Sequence, residues 1–230
     1  MRRLSFLPKQ AIYLFWTYII AIGFFFLFRL AILPLNSESI GSILNEEGGL
    51  ILLLKAFFMG FRFDTLISCF VISPILISFI IAYFFNIRSR IFYKINHYFL
   101  VVIFSICFTI SCVDIPYFKY FFNRFNVPAL ALMDSPLFVF KMIAEEPSYI
   151  IYFFILVGII ILYSWLMIRL YKRYLTNNHK DKRTLKTYLI NSILFLFLIA
   201  SCFLGMRGRI EKKSPMKVGT AYFSNNPLIN

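Results

Sequence analysis

The charged residues best placed for chemistry lie at the ends of apolar runs. Arg62 and Asp64 stand in MGFRFD, just before one such run. Asp114 and Arg124 stand in DIPYFKYFFNRF, just after the next run. Charges near hydrocarbon cost up to about 2.5 to 3.5 kcal/mol each, so they pair with one another or meet a polar ligand. The residues therefore predict a pocket for an anionic lipid head group. The alternative is that Arg62 pairs with Asp64 or Asp114 and only holds two helices together.

Other reactive residue types are isolated or surrounded by apolar residues. His97 and His179 have no cysteine, histidine or carboxylate neighbours at a metal-binding spacing. The cysteines all fall inside apolar runs, which is typical of small buried residues rather than of disulfides or metal ligands. They are Cys69, Cys107, Cys112 and Cys202. Phosphate-binding glycine loops, nucleophile elbows and HExxH motifs are absent from the sequence. The sequence therefore predicts no catalytic residue, no metal site and no cofactor within this chain.

The composition indicates a polytopic membrane protein. Hydrophobic residues make up 60% of the chain and charged residues 15%, against roughly 45 to 50% and 25% in soluble domains. Since one soluble core cannot bury that apolar excess, lipid must cover much of it. The net charge of +14 comes mainly from basic residues beside apolar runs. It therefore indicates membrane lipids as partners, and not nucleic acid.

Five apolar runs are long enough to cross a hydrocarbon core about 30 Å thick as helices. The predicted spans cover residues 11–33, 65–85, 97–113, 148–168 and 187–206. The predicted fold is therefore all-α, with one five-span membrane domain over residues 1–206. Arg29 lies near the end of the first span, from which its long side chain can reach the interface. Pro74 predicts a kink in the second span, which neighbouring helices or Ser73 and Ser78 can accommodate.

Two connections predict short helices that lie at the outer membrane interface. Residues 50–63 are apolar but carry two basic residues and are short for a span, which favours an interfacial or half-inserted helix that leads straight into the second span. Residues 114–147 hold no apolar run long enough to cross, and two helices broken at Pro128 and Pro136 fit them best. The aromatic residues within 117–125 are typical of an interfacial belt, although they could also line a groove for lipid tails.

The distribution of Lys and Arg predicts the orientation. The N-terminal tail and the connections at 86–96 and 169–186 together hold 13 basic residues and one acid. The other two connections hold six basic residues over longer stretches and eight acids. The positive-inside rule therefore predicts a cytoplasmic N-terminus and an external position for residues 207–230. The five basic residues of that tail argue the other way, but the rule weakens where a long domain is translocated.

Three motifs, taken in order, resemble a known family. They are FMGFRFD before the second span, DIPYFKYFFNR after the third, and GMRGRIEKKSPMKVGTAYFSNNPLIN after the fifth. This order resembles the N-terminal membrane region of bacterial lipoteichoic acid synthase-like proteins, the phosphoglycerol transferase and sulfatase family of the alkaline-phosphatase superfamily. The resemblance covers essentially the whole chain. It implies a multi-pass protein of the bacterial cytoplasmic membrane with an extracytoplasmic C-terminus.

The resemblance also implies that the chemistry lies beyond residue 230. In that family, five spans precede an extracytoplasmic domain in which a threonine nucleophile and a divalent metal, commonly manganese, transfer phosphoglycerol from a lipid donor. None of those residues can be carried onto this sequence, and Thr220 lacks the expected surroundings. Residues 207–230 are then expected to be a juxtamembrane linker, and this chain alone is expected to be inactive. Its implied function is to anchor the enzyme and to orient a lipid-linked substrate.

Two alternatives stay open. A phosphoethanolamine transferase shares the same five-span plan. The other alternative is a non-enzymatic protein, such as a small polytopic transporter, flippase or assembly factor. Such a protein needs polar groups or broken helices at mid-membrane depth, for which Pro74 is the one hint in the sequence.

Overall fold

The computed structural model describes residues 8–35, 40–41, 45, 48–121, 148–176, 185–208 and 216. Within these residues the chain forms five long helices and no strand. They are α1 (Lys9–Leu35), α2 (Gly49–Phe84), α3 (Arg90–Phe121), α4 (Ser148–Tyr174) and α5 (Leu185–Arg207). Each is long and apolar enough to cross a membrane. The predicted all-α fold with five spans is confirmed, and the chain is a multi-pass membrane protein.

The second helix is longer than the sequence analysis predicts. Residues 50–63 do not form a separate helix, because α2 runs without interruption from Gly49 to Phe84. The segment leads straight into the second span, as predicted, and Gly60 within it does not interrupt the helix. The helix also continues through Pro74, which has no N–H to offer the carbonyl of Phe70. The hydroxyl of Ser73 donates to that carbonyl instead, at 3.0 Å.

The third helix also extends past its predicted ends. It begins at Arg90 and continues beyond Asp114 and Pro116 to Phe121. A proline removes one backbone hydrogen bond but does not end a helix whose flanking side chains are packed. Ile115 and Phe118, on either side of Pro116, are both buried. The predicted interfacial helices between this end and residue 148 fall mostly outside the described residues.

Helix α1 lies at the centre of the bundle, in contact with α2, α3 and α4. Aromatic rings fill the space between α1, α3 and α4. The ring of Phe108 lies 5.2 Å from that of Phe25 and 5.0 Å from that of Tyr163, measured between centroids. Such tilted and edge-on pairs are the favourable geometries for aromatic side chains. The opposite faces of the helices carry exposed large apolar side chains, as expected where lipid is the neighbour.

Helix α5 packs mainly on α2, through small residues that allow the two backbones to approach closely. A Cβ atom added at Gly205 would overlap with the Sγ atom of Cys69. The thiol of Cys202 donates to the carbonyl of Cys69 at 3.4 Å. The cysteines are all free. Helix α5 is therefore fixed by a contact that only glycine permits at position 205.

Candidate functional site

An ion pair joins α1 to α2 near the end of the bundle that holds the C-termini of α1, α3 and α5, here called the upper end. The Nη2 atom of Arg29 donates to Oδ2 of Asp64 at 2.8 Å. The Nη1 atom of Arg29 also donates to the carbonyl of Phe57 at 3.3 Å. Both contacts join the Arg29 guanidinium to α2. The pair satisfies both charges where water is scarce, with side-chain exposures of 21% and 11%.

A glycine makes room for this ion pair. The guanidinium of Arg29 occupies the space that a Cβ atom would take at Gly60. Gly60 lies one turn before Asp64 on α2, so the two positions share a face of the helix. The motif MGFRFD therefore supplies both the carboxylate and the gap into which the arginine of another helix fits.

Further polar side chains surround the pair. The hydroxyls of Tyr18 and Thr65 form a hydrogen bond of 3.1 Å between α1 and α2. Ser68 lies one turn from Asp64 and is fully buried. Its hydroxyl has no hydrogen-bond partner within the described part of the chain. Together with Arg29 and Asp64, these residues form a polar centre in the upper half of the bundle.

Arg62 faces the other side of α2 and contacts α5. Its Nε and Nη2 atoms both donate to the carbonyl oxygen of Gly208, with a distance of 2.9 Å from Nε. Its guanidinium also lies 5.9 Å from the centre of the Phe58 ring. Residues two apart on a helix point about 200° away from each other, so Arg62 and Asp64 cannot serve the same neighbour.

Arg62 and Asp64, which the sequence groups into one pocket, have different partners in the structure. Asp64 does pair with an arginine, as the structural alternative expects, but the partner is Arg29 and not Arg62. Asp114 lies within α3, where its side chain is partly exposed. Arg124 lies outside the described residues, so the prediction for it stays a prediction.

Sequence analysis missed Arg29 and Gly208 as members of this end of the bundle. Arg29 is the sole charge within the predicted first span, at residues 11–33. A charge in that position calls for a partner at matching depth, which was the available signal. Gly208 gives no such signal, because its carbonyl oxygen, and not a side chain, is the acceptor.

A second polar network ties α1 to α3 at the opposite, lower end. The hydroxyl of Tyr13 and Nδ1 of His97 lie 2.9 Å apart in a hydrogen bond. The amide of Gln10 donates to the Tyr93 hydroxyl at 3.1 Å. The ring of Tyr171 on α4 lies 4.8 Å from the His97 ring. His97 is isolated in the sequence, yet the fold surrounds it with partners from other helices. Such hydrogen bonds join helices in a membrane.

Neither network contains a cluster of metal-ligating side chains in the described part of the chain. Among the residues that the structure describes, no three His, Cys, Asp or Glu side chains come close enough to hold a metal ion. The upper end holds an ion pair between α1 and α2. It also holds Arg62, which donates hydrogen bonds to the carbonyl of Gly208, the first residue after α5.

Comparisons with known proteins identify no relative. No family model, no curated protein and no solved structure matches this chain.

Proposed function

We propose that this chain is the membrane anchor and lipid-orienting domain of an extracytoplasmic phosphoglycerol transferase or sulfatase-like enzyme in the bacterial cytoplasmic membrane. The observation that carries the proposal is the contact between Arg62 and Gly208. These residues belong to FMGFRFD and GMRGRI, two of the motifs on which the family resemblance depends. The fold brings them together although they are 146 residues apart in the chain.

In this proposal the bundle presents the chain beyond α5 at the outer membrane surface. The N-terminus is cytoplasmic and the tail is external, following the distribution of basic residues. A domain held there meets lipid-linked substrates at a high effective concentration, because enzyme and lipid share one surface. The divalent metal and the nucleophile belong to that domain and not to the present chain.

An anionic lipid head group is the ligand proposed for the upper end. A guanidinium has five N–H donors, and within the described residues Gly208 engages Nε and Nη2 of Arg62, which leaves the Nη1 donors for a phosphate. Asp64 does not oppose such an anion, because Arg29 neutralises its charge. Asp114 and Arg124 remain proposed members of the same head-group site.

A comparison of two reactions tests this function in the protein expressed from its full reading frame. Arg62→Gln is expected to lower transfer from labelled phosphatidylglycerol about ten-fold, the effect of losing a charge-assisted hydrogen bond. Hydrolysis of a soluble phosphoester should change less than two-fold, because no lipid has to be oriented. Lys94→Gln, an exposed residue at the lower end, is the matched control and should change neither reaction.

Three outcomes would count against the proposal. Equal losses in both reactions would assign Arg62 a purely structural role. If the unmodified protein transfers nothing from any lipid, it is not the proposed transferase. A stop codon directly after Asn230 would do the same.

A non-enzymatic transporter is the second candidate, and buried polar groups favour it. The hydroxyl of Tyr163 is buried near the middle of α4 without a hydrogen-bond partner in the described residues, and that of Ser68 is similar. Polar groups at membrane depth often mark the path of a transported ion or solute. A flux of solute into vesicles that hold only this chain, together with absent transfer activity, would favour this candidate.

A further inference from the structure

The end of α5 is joined to α2 by more than helix packing. Helix α5 ends in a left-handed residue, Gly208, with φ of 65°. Its N–H donates to the carbonyl of Leu204 at 3.1 Å, which is the usual way in which glycine caps a helix. Such a cap needs no second helix. Here, however, the carbonyl of Gly208 also accepts two hydrogen bonds from Arg62 of α2.

Met216, which follows α5 in the chain, also contacts the end of that helix. Its N–H donates to the carbonyl of Arg207 at 3.2 Å, and its side chain is buried. A Cβ atom placed on Gly208 would lie 3.1 Å from Cβ of Met216 and 3.5 Å from Cδ1 of Leu66. Met216 and Leu66 of α2 therefore both lie beside the position that a side chain at Gly208 would take.

The glycine is required here for two separate reasons. A side chain at position 208 would be strained by the positive φ. It would also crowd Met216, because a distance of 3.1 Å is shorter than ordinary van der Waals contact between carbon atoms. Backbone conformation and packing thus both depend on the absence of a Cβ atom, which indicates a built contact and not a chance approach.

We propose that Arg62, Leu66, Gly208 and Met216 form a joint that sets the direction in which the chain beyond Met216 leaves the membrane bundle. Arg62 is then a positioning residue that connects the orientation of α2 to the following segment. The use of the joint for presenting an enzyme rests on the proposed function. The joint itself depends only on contacts within this chain.

Disulfide trapping tests the joint directly. The variant carries Leu66→Cys and Met216→Cys, with the native cysteines replaced by alanine, and is oxidised with copper phenanthroline in membranes. We expect the 66–216 bond to form in most molecules, seen as a mobility shift on non-reducing gels. Adding Arg62→Gln should slow its formation about ten-fold, whereas Arg62→Lys should have a smaller effect. Lys94→Gln should leave the rate unchanged.

The following results would contradict the proposed joint or the role of Arg62 in it. If the two thiols react with a maleimide but never with each other, the joint does not exist. If Arg62→Gln leaves the rate unchanged, Arg62 does not hold it. Should Arg62→Gln fail to fold, Gly208→Ala serves in its place and must also slow the reaction. Normal trapping combined with absent lipid transfer would contradict the proposed function and leave the joint standing.

Discussion

Replacing Asp64 with alanine is expected to lower the free energy of unfolding by about 3 kcal/mol, the lower end of the range for breaking a buried ion pair. The value lies at that end because both side chains keep some exposure. The loss arises because Arg29 would keep its charge among apolar neighbours with no carboxylate to balance it. It can be measured from chemical unfolding of the purified protein in mixed micelles.

A double replacement distinguishes the charge imbalance from a simple loss of contact. Arg29→Met with Asp64→Leu removes both charges and fills similar volumes, so it should recover most of the lost stability. The coupling energy of the full double-mutant cycle should therefore be large. If the double variant is as unstable as the sum of both single variants, the pair is not coupled and the assignment of Arg29 to Asp64 fails.

Replacing Gly205 with alanine is expected to destabilise the contact between α5 and α2 by about 1 to 3 kcal/mol, the usual cost of overpacking. The added methyl group would overlap with Sγ of Cys69, so one helix must move. Adding Cys69→Ala removes that sulfur and should restore part of the stability. Thermal unfolding, followed by size-exclusion chromatography after heating, measures the effect.

A matched control is available on α4. Gly158 lies within that helix, and a Cβ atom there would meet nothing within 4 Å. Gly158→Ala should therefore leave stability unchanged or raise it slightly, since alanine favours helix more than glycine does. Equal losses for Gly158→Ala and Gly205→Ala would mean that helix conformation, and not close packing, decides the result.

The number of helices was predictable from the sequence, whereas their lengths were not. Apolar runs of about 20 residues identify spans because backbone groups in lipid must satisfy one another. The charges of Lys55 and Arg62 suggested that residues 50–63 were a separate helix. Charged side chains do not interrupt a helix, however, because its backbone groups satisfy their hydrogen bonds within the helix. At Pro116 the sequence predicted the end of the third span, but α3 continues because the neighbouring side chains are packed.

The site residues were identified by type, but their partners were not. Asp64 was chosen because a carboxylate beside an apolar run needs a partner, and it has one. Proximity in sequence favoured Arg62, while the partner comes from α1, 35 residues away. The rotation of about 100° per residue turns Arg62 and Asp64 to different helices, which only the arrangement of the bundle could specify.

The orientation of the bundle decides whether α5 delivers the following chain to the outer surface, on which the proposed function depends. Single cysteines at Ser89 and Ser214, in a chain otherwise free of cysteine, would report it through a membrane-impermeant maleimide. We predict that Ser214→Cys is labelled in intact cells and that Ser89→Cys is labelled only after permeabilisation. Labelling of Ser89→Cys in intact cells, with Ser214→Cys protected, would contradict the account.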